Sequence, residues 1–189
     1  MKWASIFLTL ILCFVLPDGA FAQRTLPGQR GIQLTAGSVN GIKPQNGIHA
    51  GIAFSQYAKG ADKWVFGVEY LEKRHSYRDI KIPQSQYTAE GGYFLNFLSD
   101  ARKTVFVSIG ASAMIGYETV NHSEKLLFDG ATVNNSDAFL YGGAATVSCE
   151  IFLTNRLVLQ AGIRERVLMG SSVGNFDTQI GIGIKIIIN

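Results

Sequence analysis

The stretch from Lys63 to Arg102 constrains the fold more than any other, because two of its segments alternate strictly between apolar residues and small or polar ones. The first segment carries a wholly apolar side made of Trp64, Phe66, Val68 and Tyr70. The second runs from Tyr87 to Phe97 with the same period of two, which is typical of β-strands. Each segment approaches the roughly 9 to 11 residues that a tilted strand needs to cross a bilayer. The stretch therefore predicts a long hairpin with a polar loop around Pro83.

The same alternation recurs along the chain and predicts eight strands. They are expected at 30–37, 48–57, 63–71, 87–97, 104–117, 138–152, 157–166 and 179–189. Short connections are expected near Ala61, Asp100 and Asn155, and long ones near Asn40, Asp79, Asp129 and Ser172. The longest irregular segment runs from Glu118 to Asp137. Outer-membrane barrels alternate short periplasmic turns with longer extracellular loops in the same way. The predicted fold class is therefore all-β, an eight-stranded antiparallel transmembrane β-barrel of the outer-membrane type.

Aromatic residues lie near the ends of the predicted strands at two levels. The outer level comprises Tyr70, Tyr87, Tyr117 and Tyr141, and the inner level comprises Phe54, Trp64 and Phe97. Two aromatic girdles of this kind bracket the apolar band of membrane barrels. No segment after residue 22 approaches the roughly 20 apolar residues of a membrane helix, so a membrane location requires a closed barrel.

The first 22 residues have the features of a secretory signal peptide. Lys2 gives a basic start, an apolar run follows from Ile6 to Leu16, and Ala20-Phe21-Ala22 precedes the expected cleavage site. Removing 22 of the 189 residues leaves 167, enough for one barrel domain over residues 23–189. Cleavage also removes Cys13, which leaves Cys149 without a disulfide partner. We therefore expect an exported chain located in the Gram-negative cell outer membrane.

Composition argues against several functional classes. The formal net charge is +3, and lysine and arginine are spread along the chain rather than gathered in a basic stripe that would bind nucleic acid. The three histidines, His49, His75 and His122, do not have metal-ligand spacing with cysteine or acidic residues. We expect no catalytic residue, no metal or cofactor, no direct nucleic-acid contact and no small-molecule substrate.

Six ionisable residues lie on the side of the predicted strands that would point into the barrel. They are Glu69, Glu90, Glu150, Arg164, Arg166 and Lys185. Eight strands enclose only enough space for their own side chains, so three charges of each sign are expected to pair and to have a structural role. Glu69 and Glu90 should lie close together, with Arg164 or Arg166 beside them. The competing interpretation is a catalytic carboxylate set that performs acid–base chemistry.

Two other functions remain as alternatives, and the position of Glu165 does not fit the strand pattern. A surface pair of histidine and serine could support a lipid-modifying outer-membrane enzyme. The candidate pairs are His49 with Ser55 and His122 with Ser123, and neither has an evident orienting acid. A soluble exported β-sandwich or lipocalin-like binding protein would instead turn the apolar faces inward. Glu165 points toward lipid by parity, so we expect it to reach the outer interface or to lie at a bulge.

Several long segments resemble one known family. They are RGIQLTAG from Arg30, KWVFGVEYLEKRHSYRDIKIP from Lys63, QYTAEGGYFLNFLSDARKT from Gln86, GYETVNHSEKLLFDGATVNN from Gly116, FLYGGA from Phe139, RERVLMGSS from Arg164 and the ending IIIN. With these segments the chain resembles the TraO family of Bacteroidetes conjugative transposons over essentially its whole length after the leader. The resemblance implies a non-enzymatic component of a conjugal DNA-transfer apparatus. It also implies other conjugal transfer proteins as partners, and it implies no catalytic or binding residues. Outer-membrane lipid is a further partner implied by the predicted barrel.

Overall fold

The computed structural model describes residues 25–41, 47–77, 80–120, 137–171 and 174–188. Eight strands make up most of this part of the chain: β1 (Arg30–Val39), β2 (Gly47–Tyr57), β3 (Lys63–Tyr77), β4 (Ile80–Ser99), β5 (Val105–Val120), β6 (Asp137–Phe152), β7 (Leu157–Met169) and β8 (Phe176–Ile187). Each strand pairs antiparallel with its neighbours in sequence, and β1 pairs with β8, so the sheet closes. The predicted eight-stranded antiparallel barrel is therefore confirmed. No helix within these residues is long and apolar enough to cross a membrane.

The register of the ladders shows that the strands are tilted. Starting from Arg30 on β1, we follow the residue directly opposite on each successive strand. These residues are Gln56, Trp64, Tyr93, Ala111, Ala145, Glu165 and Thr178. The Thr178 carbonyl then accepts a hydrogen bond from the Asn40 amide, and Asn40 lies ten positions after Arg30. A shift of this size over eight strands corresponds to a strand tilt of roughly 35–45°. The tilt determines which inward side chains meet across the lumen.

The hairpin of β3 and β4 is longer than its sequence pattern predicts, and the polar loop expected around Pro83 is wrong. Pro83 lies within β4 opposite Arg74, and the paired strands continue as far as Tyr77 and Ile80. Among the described residues, β4 pairs with β5 only from Gln84 onward, so Pro83 lies where proline's missing donor is tolerated. The long loop expected near Asp79 is therefore reduced to residues 78–79.

The irregular segment predicted from Glu118 to Asp137 is shorter than expected. Strand β5 continues to Val120 and β6 begins at Asp137, so only residues 121–136 lie outside the two strands. These residues, with His122, Ser123 and Asp129 among them, lie outside the described part of the chain. The same is true of residues 1–24, which contain the predicted signal peptide.

The outward faces of the strands form an apolar surface. Val68, Ile115, Ile163 and Ile182 on four different strands are each more than half exposed. Aromatic rings lie above and below this surface: Tyr70 packs on Tyr87 with ring centroids 5.1 Å apart, and Trp64 packs on Tyr93 at 4.7 Å. Apolar side chains thus point away from the barrel, and a soluble sandwich with a buried apolar face does not describe this chain.

The end of the barrel that carries the short turns is closed by an apolar cluster, which we call the floor. It consists of Tyr57, Phe106, Phe152, Val158 and Ile187, all at most 5% exposed. Phe106 and Phe152 meet edge to face at 5.5 Å. Each floor residue lies at or next to the last residue of its strand at this end. The floor thus fills this end of the lumen with apolar side chains.

Candidate functional site in the barrel lumen

All six ionisable residues predicted to point inward lie in the lumen, but they are not the complete set. Lys63, Lys73, Glu118 and Asp177 are also buried there, so the expected count of three charges of each sign is wrong. Lys63 alternates with Val65 and Glu69 on the inner side of β3, and strand parity alone would have identified it. The other three lie beyond the strand ends that the sequence pattern predicted.

The upper cluster is a charged network that joins β3, β4 and β7 across the lumen. Arg164 donates through Nη2 to Glu90 Oε1 at 3.0 Å and through Nη1 to Glu69 Oε2 at 3.4 Å. Arg166, which is fully buried, donates through Nη1 to Glu69 Oε1 at 2.7 Å and through Nη2 to Gln86 Oε1 at 2.6 Å. Two carboxylates and two guanidinium groups therefore neutralise one another in the upper cluster.

Neighbouring polar side chains complete the upper cluster. Gln179 Nε2 donates to Glu69 Oε1 at 2.7 Å, and Ser112 Oγ donates to Glu90 Oε2 at 3.2 Å. Arg164 Nε donates to Thr146 Oγ1 at 3.1 Å. Because each buried charge has an opposite charge and further hydrogen bonds, the arrangement meets the requirement for burying ions.

The lower cluster lies just above the floor and centres on one carboxylate. Glu150 Oε1 accepts from Lys63 Nζ at 2.5 Å, from Lys185 Nζ at 2.6 Å and from Gln160 Nε2 at 2.6 Å. Its Oε2 accepts from the Tyr57 hydroxyl at 2.9 Å. Lys63, Glu150 and Lys185 are each at most 2% exposed. The lower cluster thus buries two ammonium groups against one carboxylate.

A small chamber lies in the lumen, and both Lys63 of the lower cluster and Arg164 of the upper cluster line it. Its volume is about 90 Å³, and its polar lining includes Gln33, Thr35, Lys63, Thr146, Ser148 and Gln160. Because a buried water needs roughly 10–15 Å³ measured in this way, the chamber has room for a handful of water-sized groups.

His49 lies inside the barrel, and the suggested surface pair of His49 with Ser55 is therefore wrong. The imidazole is 7% exposed, and its Nδ1 lies 3.5 Å from Glu69 Oε2. Ser55 is fully buried and donates to the Gly31 carbonyl at 3.4 Å instead of contacting His49. An acid, Glu69, does lie beside His49, which the sequence did not indicate. The alternative pair, His122 with Ser123, lies outside the described residues.

Glu165 is outward-facing, and the ladder at this position is regular, so the suggested bulge is wrong. Glu165 opposes Ala145 on β6 and Thr178 on β8 without a register shift. Its exposed side chain accepts from Thr178 Oγ1 at 2.6 Å. The register shift in the β4–β5 ladder lies between Asn96 and Leu98, near the short-turn end.

The charged side chains of the described part of the lumen are engaged in ion pairs and hydrogen bonds. Within the described ranges, no three His, Cys, Asp or Glu side chains are grouped so that they could hold a metal ion. Cys149 lies on the strand face between the outward Val147 and Ile151 and is half-buried. The carboxylates of both clusters are occupied by cations. The interior chemistry that the described residues support is ion pairing and hydrogen bonding.

Comparison with solved structures places this barrel among known ones. Neisserial surface protein A is 12% identical with a TM-score of 0.55, over 85% of this chain and 97% of its own. Ail, the attachment invasion locus protein of Yersinia pestis, is 10% identical with a TM-score of 0.51, over 86% of this chain and 99% of its own. At these identities the similarity shows the fold alone.

Comparison of sequences gives a family. The chain has no match among curated proteins. The family described as conjugative transposon protein TraO matches residues 26–188. The match covers nearly the whole chain and confirms the resemblance seen in the sequence. The chain belongs to the TraO family of conjugative transposon proteins.

Proposed function

We propose that this protein is a non-enzymatic barrel of the bacterial outer membrane and that it serves conjugative transfer by contacting other transfer proteins through its loops and rims. Residues 1–22 act as its export signal, and residues 23–189 form the mature barrel. Family membership supports the link to conjugation. The outward apolar surface and the aromatic rings at both levels support a location in lipid.

The main observation behind the proposal is that side chains fill most of the barrel lumen. Two ion-paired clusters lie across the lumen and the floor fills one end of it, which leaves no passage wide enough for a DNA strand through a single barrel. The buried position of His49 and the pairing of the lumen carboxylates among the described residues to cations or amides argue against a lipid-modifying enzyme. The parts left for contact with partners are the loops at one end and the short turns at the other.

Deletion of the gene from the mobile element, with complementation from a plasmid, tests the proposed role. Transfer frequency should fall in mating assays and recover with the wild-type gene. Membrane fractionation should find the protein with outer-membrane markers, and refolded protein should migrate faster in SDS gels before heating than after. Transfer at the wild-type frequency without the gene would rule out a role in conjugation. A protein that stays soluble without detergent would rule out the membrane location.

A further inference from the structure

The lower cluster has an uncompensated positive charge among the groups that contact it. Lys63 and Lys185 both donate to the same oxygen of Glu150, and their other polar or ring partners, the Tyr57 hydroxyl and the rings of Phe94 and Tyr57, are neutral. The other lumen carboxylates do not supply it: Glu69 and Glu90 are matched by Arg164 and Arg166, and Asp177 is matched by Lys73. Glu118 lies at the far end of β5 from the floor. A buried unpaired charge is strongly unfavourable. The excess therefore calls for a counter-charge close to Lys63 or Lys185.

Space and hydrogen-bond donors for that counter-charge lie in the chamber. Lys63 lines the chamber directly, as do Gln160 and Ser148. The Ser148 hydroxyl is buried and makes no hydrogen bond within the protein. The Thr146 hydroxyl accepts from Arg164 and has its own proton left to donate. An ammonium group and two hydroxyl donors thus line the same small space.

We propose that the chamber is a binding site for a small monovalent anion of the size of chloride, held near Lys63 and the Ser148 hydroxyl. The ion neutralises the third charge of the lower cluster. At about 90 Å³ the chamber admits such an ion with a few waters. Glu69, Glu90 and Arg164 of the ion-paired upper cluster also line the chamber, whereas Lys63 belongs to the cluster with the excess positive charge, which places the ion on the Lys63 side.

Thermal unfolding in neutral detergent tests the site, with fluorescence as the readout. Sodium chloride, sodium bromide and sodium gluconate are compared at equal ionic strength. Chloride and bromide should raise Tm in a saturable way relative to gluconate, because a ligand that binds only the folded state stabilises it by mass action. Crystals grown in bromide should show an anomalous peak in the chamber near Lys63.

Variants separate binding from a general salt effect. Lys63→Met removes the excess charge, so it should abolish the halide dependence and leave Tm in gluconate no lower than that of the wild type. Ser148→Ala keeps the Lys63 charge and does not fill the chamber, but it removes the hydroxyl donor. It should therefore shift the halide titration to higher concentrations. Lys59→Met, at an exposed turn, is the matched control and should titrate like the wild type. Equal Tm values in chloride and gluconate, with no bromide peak in the chamber, would overturn the proposal. The lower cluster would then be neutral because either Lys63 or Lys185 is unprotonated.

Discussion

Gly37 on β1 and His49 on β2 are directly opposed, and the imidazole lies in the space that a side chain at position 37 would fill. A Cβ added to Gly37 would come within 2.5 Å of His49 Nε2 and would also collide with the Ile180 carbonyl. On the neighbouring strand, a Cβ at Gly181 would meet the same imidazole at 3.1 Å. Two adjacent glycines thus make room for the buried histidine.

Gly37→Ala should consequently destabilise the barrel. The backbone of β8 cannot move away without breaking its ladder, so we expect a loss of about 1–3 kcal/mol from overpacking. Urea unfolding of detergent-refolded protein measures it. Gly174→Ala is the control, because a Cβ there has open space around it. Equal stability of the two variants would show that β1 and β8 adjust more freely than the packing implies.

Removal of the two lumen arginines should have different consequences. Arg166 is fully buried against Glu69, whereas the Arg164 side chain is 16% exposed and divides its donors between Glu69 and Glu90. We expect Arg166→Ala to lower the free energy of unfolding by roughly 3–5 kcal/mol, and Arg164→Ala by less.

A double-mutant cycle distinguishes the partners of these arginines. Adding Glu90→Gln should restore part of the stability lost in Arg164→Ala, because it removes the charge that the variant leaves unpaired. The same addition should give no rescue of Arg166→Ala, since Arg166 donates to Glu69 and not to Glu90. If both variants were rescued equally, the two glutamates would share their charge more evenly than these distances indicate.

Much of the fold could be predicted from the sequence, because each strand alternates clearly and a one-residue slip would reverse its faces. The inward residues follow from the same parity, and this includes Lys63. The strand ends could not be predicted equally well. Lys73, Glu118 and Asp177 continue the inward rows beyond the apolar residues that define the lipid-facing band, where the outward positions become polar and the pattern weakens.

The contacts across the lumen could not be derived from parity alone. Arg166 on β7 reaches Glu69 on β3 because the strands are tilted, and the tilt follows from a register shift that accumulates over all eight pairings. The contact between His49 and Glu69 depends on the same strand tilt. The register shift between Asn96 and Leu98 also leaves no recognisable signal in the sequence.

Glu165 and Glu69 provide a matched test of the two faces of the barrel. Glu165 is exposed and accepts one hydrogen bond from Thr178, whereas Glu69 is buried and contacts both arginines. Glu165→Leu should change the free energy of unfolding by no more than about 1 kcal/mol, because an outward acidic residue near the barrel rim has little effect on stability. Glu69→Leu should lower it by several times as much, since the fully buried Arg166 guanidinium loses the carboxylate it donates to and Arg164 keeps only Glu90. Urea titrations of both variants check the difference, and a large loss for Glu165→Leu would mean that its bond to Thr178 holds β7 to β8.

The connection between β5 and β6 should face the cell exterior. With strands ending at Val120 and beginning at Asp137, an insertion between them leaves the ladder intact, and long connections of outer-membrane barrels are extracellular. An epitope tag near Asn134 should therefore react with antibody on intact cells, and conjugation should continue if this segment makes no required contact. The matched control is a tag near Asp100, in a turn where the Asp100 carboxylate accepts from the Thr104 and Val105 amides. That tag should react only after the cells are permeabilised. Labelling of the Asp100 tag on intact cells, with the Asn134 tag protected, would reverse the orientation and place the floor at the outer surface.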